Sequence, residues 1–179
     1  QHDIRQRMTA YEEGLRAGVA LFAAHPGVDE EAWRVFVHSL DLTDRYPGIR
    51  SMGVVVPVSA SGRALFEATH LKGSEAKRIQ VLPFVGAEER ADDHMVVEFM
   101  EPANAAAIGM DLATEAKRRV AFEEARDSGE PTLSKQVQFA IDGGRKHGFL
   151  MVVPVYERGA SVSNVAGRRA AHQAWVFGV

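Results

Sequence analysis

Asp111 is the residue of this chain whose setting most invites chemistry. It stands in AIGMDLATEAKRRVAFEEARDSGEPTL, residues 107–133, directly after an apolar run and directly before a helical pattern. A carboxylate in that position has two uses. Asp is a preferred N-cap, accepting the free backbone N–H groups of a helix start. Thr114 can also cap the helix, however, and then Asp111 is left as an acceptor at a strand end, where burial without a partner is costly. A ligand N–H would be such a partner. Residue types alone leave both uses open.

The other reactive residue types form no catalytic pattern. The seven histidines, at 2, 25, 38, 70, 94, 147 and 172, show no HExxH or HxH spacing, so each reads as a surface or strand-edge residue rather than a metal ligand. The adjacent acids Glu30–Glu31 and Asp92–Asp93 lie in polar segments and read as solvated faces, not as an acid–base pair. Nothing matches the phosphate cradle GxxxxGK[ST], the dinucleotide turn GxGxxG or the nucleophile elbow GxSxG. With no cysteine, a disulfide scaffold and a thiolate metal site are excluded. No catalytic residue, metal or cofactor is therefore expected, and an enzyme is not the reading.

Composition agrees with a globular binding domain. Of 179 residues, 46% are apolar and 25% charged, and 21 Lys and Arg against 24 Asp and Glu give a net charge of −3. That balance supplies no basic face for nucleic acid. No apolar run approaches the ~18 residues of a membrane helix. The chain starts at Gln1 rather than Met, as an excised piece of a longer protein would.

Residues 1–24 read as one helix, with Ile4, Met8, Tyr11, Leu15, Gly18 and Phe22 on heptad a and d positions. It can lie on its own domain, or serve as a stalk that pairs with a second copy, Gly14 and Gly18 permitting close approach. Pro26 and Gly27 end it. Asp29 caps a second helix through Leu40, with Trp33, Phe36, Val37 and Leu40 on its apolar face. SMGVVVPV, 51–58, is a strand that Pro57 assigns to an edge or an end. A short helix from Arg63 to Leu71 stops near Gly73, RIQVLPF is a weaker strand, and EERADDH is a solvated loop. HMVVEFM, from His94, is a strand. A helix follows over 112–127, with Ala116, Val120, Ala121 and Ala125 inward, Glu115 able to pair with Arg119, and Gly129 and Pro131 as its stop. SKQVQFAI, GFLMVVPVYE and HQAWVFGV are three more strands, joined by the hairpin-like DGGRKH and the polar RGASVSNVAGRR. Strands that follow one another directly imply an antiparallel sheet, hence an α+β domain.

The stretch FMEPANAAAIGMDLATEAKRRVAFEEARDSGEPTLSKQVQF…GFLMVVPVYERG resembles the CHASE domain, an extracytoplasmic ligand sensor of histidine kinases and nucleotide cyclases that includes the cytokinin receptors. The matching positions are Pro102, Asn104, Gly109, Asp111, Leu112, Arg118, Arg119, Ala121, Ala125, Gly129, Thr132, Leu133, Pro154, Val155 and Tyr156, with YPGI at 46–49 and Phe66 upstream. The resemblance covers residues ~30 to 160. It implies a long N-terminal helix plus a PAS-like antiparallel sheet with flanking helices, divided as a stalk and second helix over 1–44 and a ligand-binding domain over 45–179. A proximal subdomain would be truncated, since the chain ends where the family continues. The far pocket wall, across AIDGGRKHG, stays unassigned.

By the same resemblance, Asp111 hydrogen-bonds the ligand, an adenine-like molecule in the cytokinin receptors, and Leu133 approaches it. Thr132 beside Leu133, and Phe99 and Met151 on neighbouring strands, are the further candidates for its lining. The expected function is a small-molecule sensor domain on the periplasmic or extracellular face of a membrane receptor of histidine kinase or diguanylate cyclase type. It would homodimerise through residues 1–24 and meet the membrane only through segments outside this chain. The rival is a protein-interaction or dimerisation domain with no small ligand.

Overall fold

Valine-rich strands whose side chains are apolar in both directions need cover on both faces, and helices supply it. The structure, a computed structural model, describes residues 2–25, 27–72, 77–141 and 144–179. The first half runs α1 (His2–Ala24), α2 (Glu30–Leu40), α3 (Leu42–Arg45), β1 (Met52–Val58), α4 (Arg63–Thr69), β2 (Leu71–Lys72), β3 (Lys77–Arg78) and β4 (Leu82–Pro83). Then come β5 (His94–Glu101), β6 (Met110–Asp111), α5 (Ala116–Ser128) and β7 (Thr132–Leu133). The chain closes with β8 (Val137–Ile141), β9 (Gly144–Gly148), β10 (Met151–Tyr156), α6 (Val165–Ala171) and β11 (His172–Gly178). The expected α+β fold, a long first helix and an antiparallel sheet flanked by helices, is what forms. No helix of the described residues is long and apolar enough to cross a membrane.

Seven strands form one sheet in the order β4-β6-β5-β1-β11-β10-β7, every pairing antiparallel except β4 with β6. β1 lies inside this sheet, so of the two places Pro57 allowed, an edge or an end, it is the end that is realised. The proline is accommodated because β1 pairs with β11 only over Met52–Val55, whereas its pairing with β5 continues to Val58. Pro57 therefore sits beyond the end of one neighbour, where a missing N–H breaks no ladder. Pro154 of β10 follows the same rule, since β7 pairs only with Met151 and Val152.

α1 and α2 cover one face. Asp29 caps α2 as expected, accepting from Ala32 N at 2.8 Å, and the helix buries Trp33 and Val37 against the sheet. From Tyr11 onward the α1 seam turns inward: Leu15 is buried with Val54, Val153 and Val176, and Tyr11 and Phe22 pack against the same cluster. The Tyr11 hydroxyl donates to the Pro47 carbonyl. Gly14 and Gly18 let the helix approach closely, because a Cβ at 14 would lie 2.9 Å from Tyr46 and one at 18 would lie 3.1 Å from Val176. Ile4, by contrast, is 66% exposed.

α5 covers the other face, and here the expected stripe is half right. Ala121 and Ala125 are buried, but Val120 is 52% exposed, and the remaining buried positions are Arg118 and Phe122. Phe122 fills the centre, edge-on to Trp175 at 5.4 Å between ring centroids, while the Trp175 indole N–H donates to the Phe122 carbonyl at 2.8 Å. Gly129 ends the helix in the left-handed conformation, its N–H bonded to the Ala125 carbonyl, as its sequence signal required. The helix expected over 112–127 is really two pieces, a 3₁₀ turn at Leu112–Thr114 and then α5.

Four other expectations are corrected. RIQVLPF is not one strand: Arg78 ends β3 and Leu82–Pro83 form β4, in different sheets, and the short helix ends at Thr69 rather than near Leu71. SKQVQFAI meets GFLMVVPVYE only at the base, where Ser134 bonds Leu150 and Val137 lies opposite Gly148. Its partner beyond that is the supposed connection, which supplies β9 and closes a separate two-stranded hairpin. The polar RGASVSNVAGRR contains α6, capped by Asn164. The stop signals at Pro26 and Gly73 and the turn at 142–143 lie outside the described residues.

Two predictions follow from the packing. Phe122→Ala empties the centre of the α5 face and should cost about 3–5 kcal/mol, read from the urea midpoint. His172, mostly buried against Trp175 with ring centroids 3.9 Å apart, has its pKa pushed down from 6.5 to about 4, first by burial and then by the Arg126 charge. Its imidazole is neutral in the fold and charged in the unfolded chain below pH 6.5. Stability should therefore fall as pH drops from about 6.5 to 4, by roughly 3 kcal/mol from this group, and His172→Gln should flatten that slope in pH-dependent unfolding.

Candidate functional site

The backbone that delivers Asp111 is constrained before the side chain is considered. Gly109 has φ of +89°, and a Cβ there would lie 2.2 Å from the Gln80 carbonyl oxygen. Its N–H bonds to Val97 O at 2.8 Å and its carbonyl accepts from Leu82 N at 3.0 Å, which joins β4 to β5 at this point. Two residues later Asp111 pairs with Val96 of β5. Only glycine allows that close a crossing at positive φ.

The Asp111 side chain is 1% exposed and has three partners. Oδ1 accepts from Met95 N at 2.9 Å and from Ala113 N at 3.0 Å, and Oδ2 lies 2.8 Å from Nδ1 of the buried His94. The bond to Ala113 caps the 3₁₀ turn, as an Asx turn does. Thr114 does not cap α5. Its hydroxyl donates to Asp111 O at 2.6 Å and accepts from Phe84 N at 2.8 Å. The cap of α5 is Glu115, which accepts from Lys117 N and Arg118 N and pairs with Arg118 at 3.2 Å rather than with Arg119. Arg119 donates instead to the Ala113 carbonyl. His94 was expected at a surface or edge, but it is a core residue, and no spacing in the sequence could reveal it because its partner lies 17 positions away.

The other candidates fall elsewhere. Leu133 of β7 sits opposite Met151 of β10, so both side chains project to one face. With Met8 and Tyr11 of α1 and Phe139, Phe149 and Val179 they line a groove of about 430 Å³. A second cavity of about 450 Å³ adjoins it, sharing Met8, Leu133 and Met151 and adding Thr132 and Pro131. Thr132, Leu133 and Met151 are thus brought together. Asp111 lines neither cavity, and Phe99 is buried in the cluster that α1 and α2 cover. The α1 and hairpin walls were missed: heptad spacing spoke for a helix seam, and DGGRKH looked like a loop.

The hairpin wall is held by α5. Arg118 is buried with its guanidinium 4.0 Å from the Phe84 ring centre and 5.1 Å from that of Phe139, and it donates to Gln138 O at 2.6 Å. Burial lowers its pKa and Glu115 opposes that shift. Lys117 Nζ adds a bond to Gln136 O at 3.0 Å. At the base of the hairpin the Ser134 N–H donates to the Leu150 carbonyl, and the Ser134 hydroxyl accepts from Leu150 N.

Because the Asp111 carboxylate serves two buried N–H groups and a buried imidazole, Asp111→Ala strands all three. The expected cost is about 3 kcal/mol or more in urea unfolding, with Asp111→Asn milder because its amide oxygen still accepts.

Among curated proteins none matches the chain. A family model for the CHASE domain matches residues 26–179, well over half of the chain. The match begins after α1 and spans the sheet, the Asp111 turn and both cavity-lining strands β7 and β10. The chain belongs to the CHASE family, whose domains are extracytoplasmic, non-catalytic sensors of membrane signalling receptors.

Proposed function

We propose that this domain senses a small molecule for a transmembrane receptor of histidine kinase or diguanylate cyclase type, and that the molecule enters the groove between α1, the β7–β10 edge of the sheet and the β8–β9 hairpin. The observation that carries this reading is the convergence of Leu133 and Met151 with Met8, Tyr11 and Phe139 around about 430 Å³ of mostly apolar space. Volumes of ~300–1,000 Å³ with such linings are typical of small-molecule sites. Thr132 adds a hydroxyl at the adjoining cavity. A molecule there touches helix, sheet and hairpin at once, so it favours whichever arrangement of the three fits it best, and that differential contact is what a signal requires. Homodimerisation through residues 1–24 belongs to the same proposal. With Tyr11 to Phe22 packed on the sheet, its contacts come from the outer face of α1 and from Ile4.

Asp111 as polar anchor is a second placement. In its favour, the carboxylate is pre-oriented by two backbone N–H groups and has a single side-chain partner, His94, in the position a ligand N–H would take. An adenine-like ligand would have to displace that imidazole. A domain that binds only another protein is the remaining rival.

A thermal-shift screen against adenine derivatives and other small metabolites tests these readings with Leu133→Asp and Asp111→Asn. At a hundred times its dissociation constant, a ligand adds about 2.7 kcal/mol of stability. The expected result is a shift that Leu133→Asp removes and Asp111→Asn leaves in place. Loss in Asp111→Asn alone moves the site to the anchor, and no shift with any compound favours the protein-binding rival.

A further inference from the structure

The groove is apolar in its body and cationic at its rim. Arg50 and Lys146 line the main cavity and Arg5 lines the adjoining one, each exposed. None of the three side chains forms an ion pair among the described residues. The one side-chain carboxylate at either cavity, Glu12, is already taken, accepting from Arg16 Nε at 2.9 Å. Elsewhere on the surface Arg34 is paired with Glu31, Arg63 with Glu67, and Arg169 with Asp127. Two cations without an ion pair among the described residues line the apolar groove and a third lines the adjoining cavity, so in a chain of net charge −3 they form a local field opposite to that of the whole molecule.

Resting on the reading that the groove is the sensor's site, we propose that its ligand is a small molecule with an apolar body and one anionic group, a carboxylate or phosphate. The body lies against Met8, Leu133, Phe139 and Met151, and the anion faces Arg50 and Lys146. The two cations reach the groove from different elements. Arg50 follows the turn that the Tyr11 hydroxyl clasps at Pro47, and its N–H bonds to Val179 O at 2.6 Å. Lys146 stands on β9 of the hairpin. An anion between them joins the hairpin to the sheet end, a contact that a neutral molecule of the same shape cannot make.

Calorimetric titration with 2-naphthoate and its neutral counterpart 2-naphthamide tests this on the parent chain, on Arg50→Gln/Lys146→Gln and on Leu133→Asp. The expected result is roughly tenfold tighter binding of the carboxylate at low salt, the combined worth of two exposed charge pairs. That preference should shrink at ~0.5 M salt and vanish in the double variant, which then binds carboxylate and amide alike. Equal affinities in the parent, or a carboxylate preference that survives the double substitution, overturns the anionic ligand and leaves the groove standing. Binding that ignores Leu133→Asp, or no binding of either compound, overturns the groove as well.

Discussion

Everything in this domain answers to one constraint: its central strands are apolar on both faces. β1, β5, β10 and β11 bury Val54, Val153 and Val176 toward α1 and α2, and Val55, Val97, Val152 and Trp175 toward α5. A sheet of that kind cannot stand with one face in water, so helices from both halves of the chain must close over it. Each buried side chain of this size contributes about 1.5–3 kcal/mol relative to exposure. The antiparallel order then puts β1 and β11 side by side, so the early and late parts of the chain share one core. The prolines at 57 and 154 fit because the neighbouring strands stop short of them.

The Asp111 cluster belongs to the same logic at the β4–β6 side of the sheet. A two-residue strand has too few ladder bonds to fix its own register, and β6 pairs with β5 at a single position. The carboxylate supplies the missing definition by bonding the strand beside it at Met95 and the turn after it at Ala113. Buried polar groups that are fully partnered specify a geometry even when their net worth is small. A motif residue can thus serve recognition in one setting and register in another with no change of type.

Local signals in the sequence were reliable wherever one residue decides a conformation. Asp29 at the start of α2 and Gly129 at the end of α5 were both legible because a cap and a left-handed turn need only their own backbone. Signals that depend on long-range partners were not. Glu98 interrupts the β1–β5 register, so alternation along HMVVEFM could not be read straight through. The strand nature of GRKHG was hidden by its polarity, since the ribbon lies outside the main sheet and leaves Lys146 and His147 exposed. Of the residues around the groove, Leu133 was reached through family likeness, and Thr132 and Met151 only as its neighbours along the chain and on a nearby strand. Met8 and Lys146 were not legible, because only the fold brings residues 8, 133 and 146 together.

The two glycines of α1 carry a mechanical consequence. With no side chains at 14 and 18, the helix rests directly on Tyr46, Trp33 and Val176, and one or two turns away the same rigid rod forms the groove wall at Met8 and Tyr11. The gap between rod and sheet is therefore shared by two regions: whatever lifts the helix at its seat widens the groove, and whatever wedges the groove loads the seat. In this domain the aperture of the cavity and the tightness of the core are two readings of one distance.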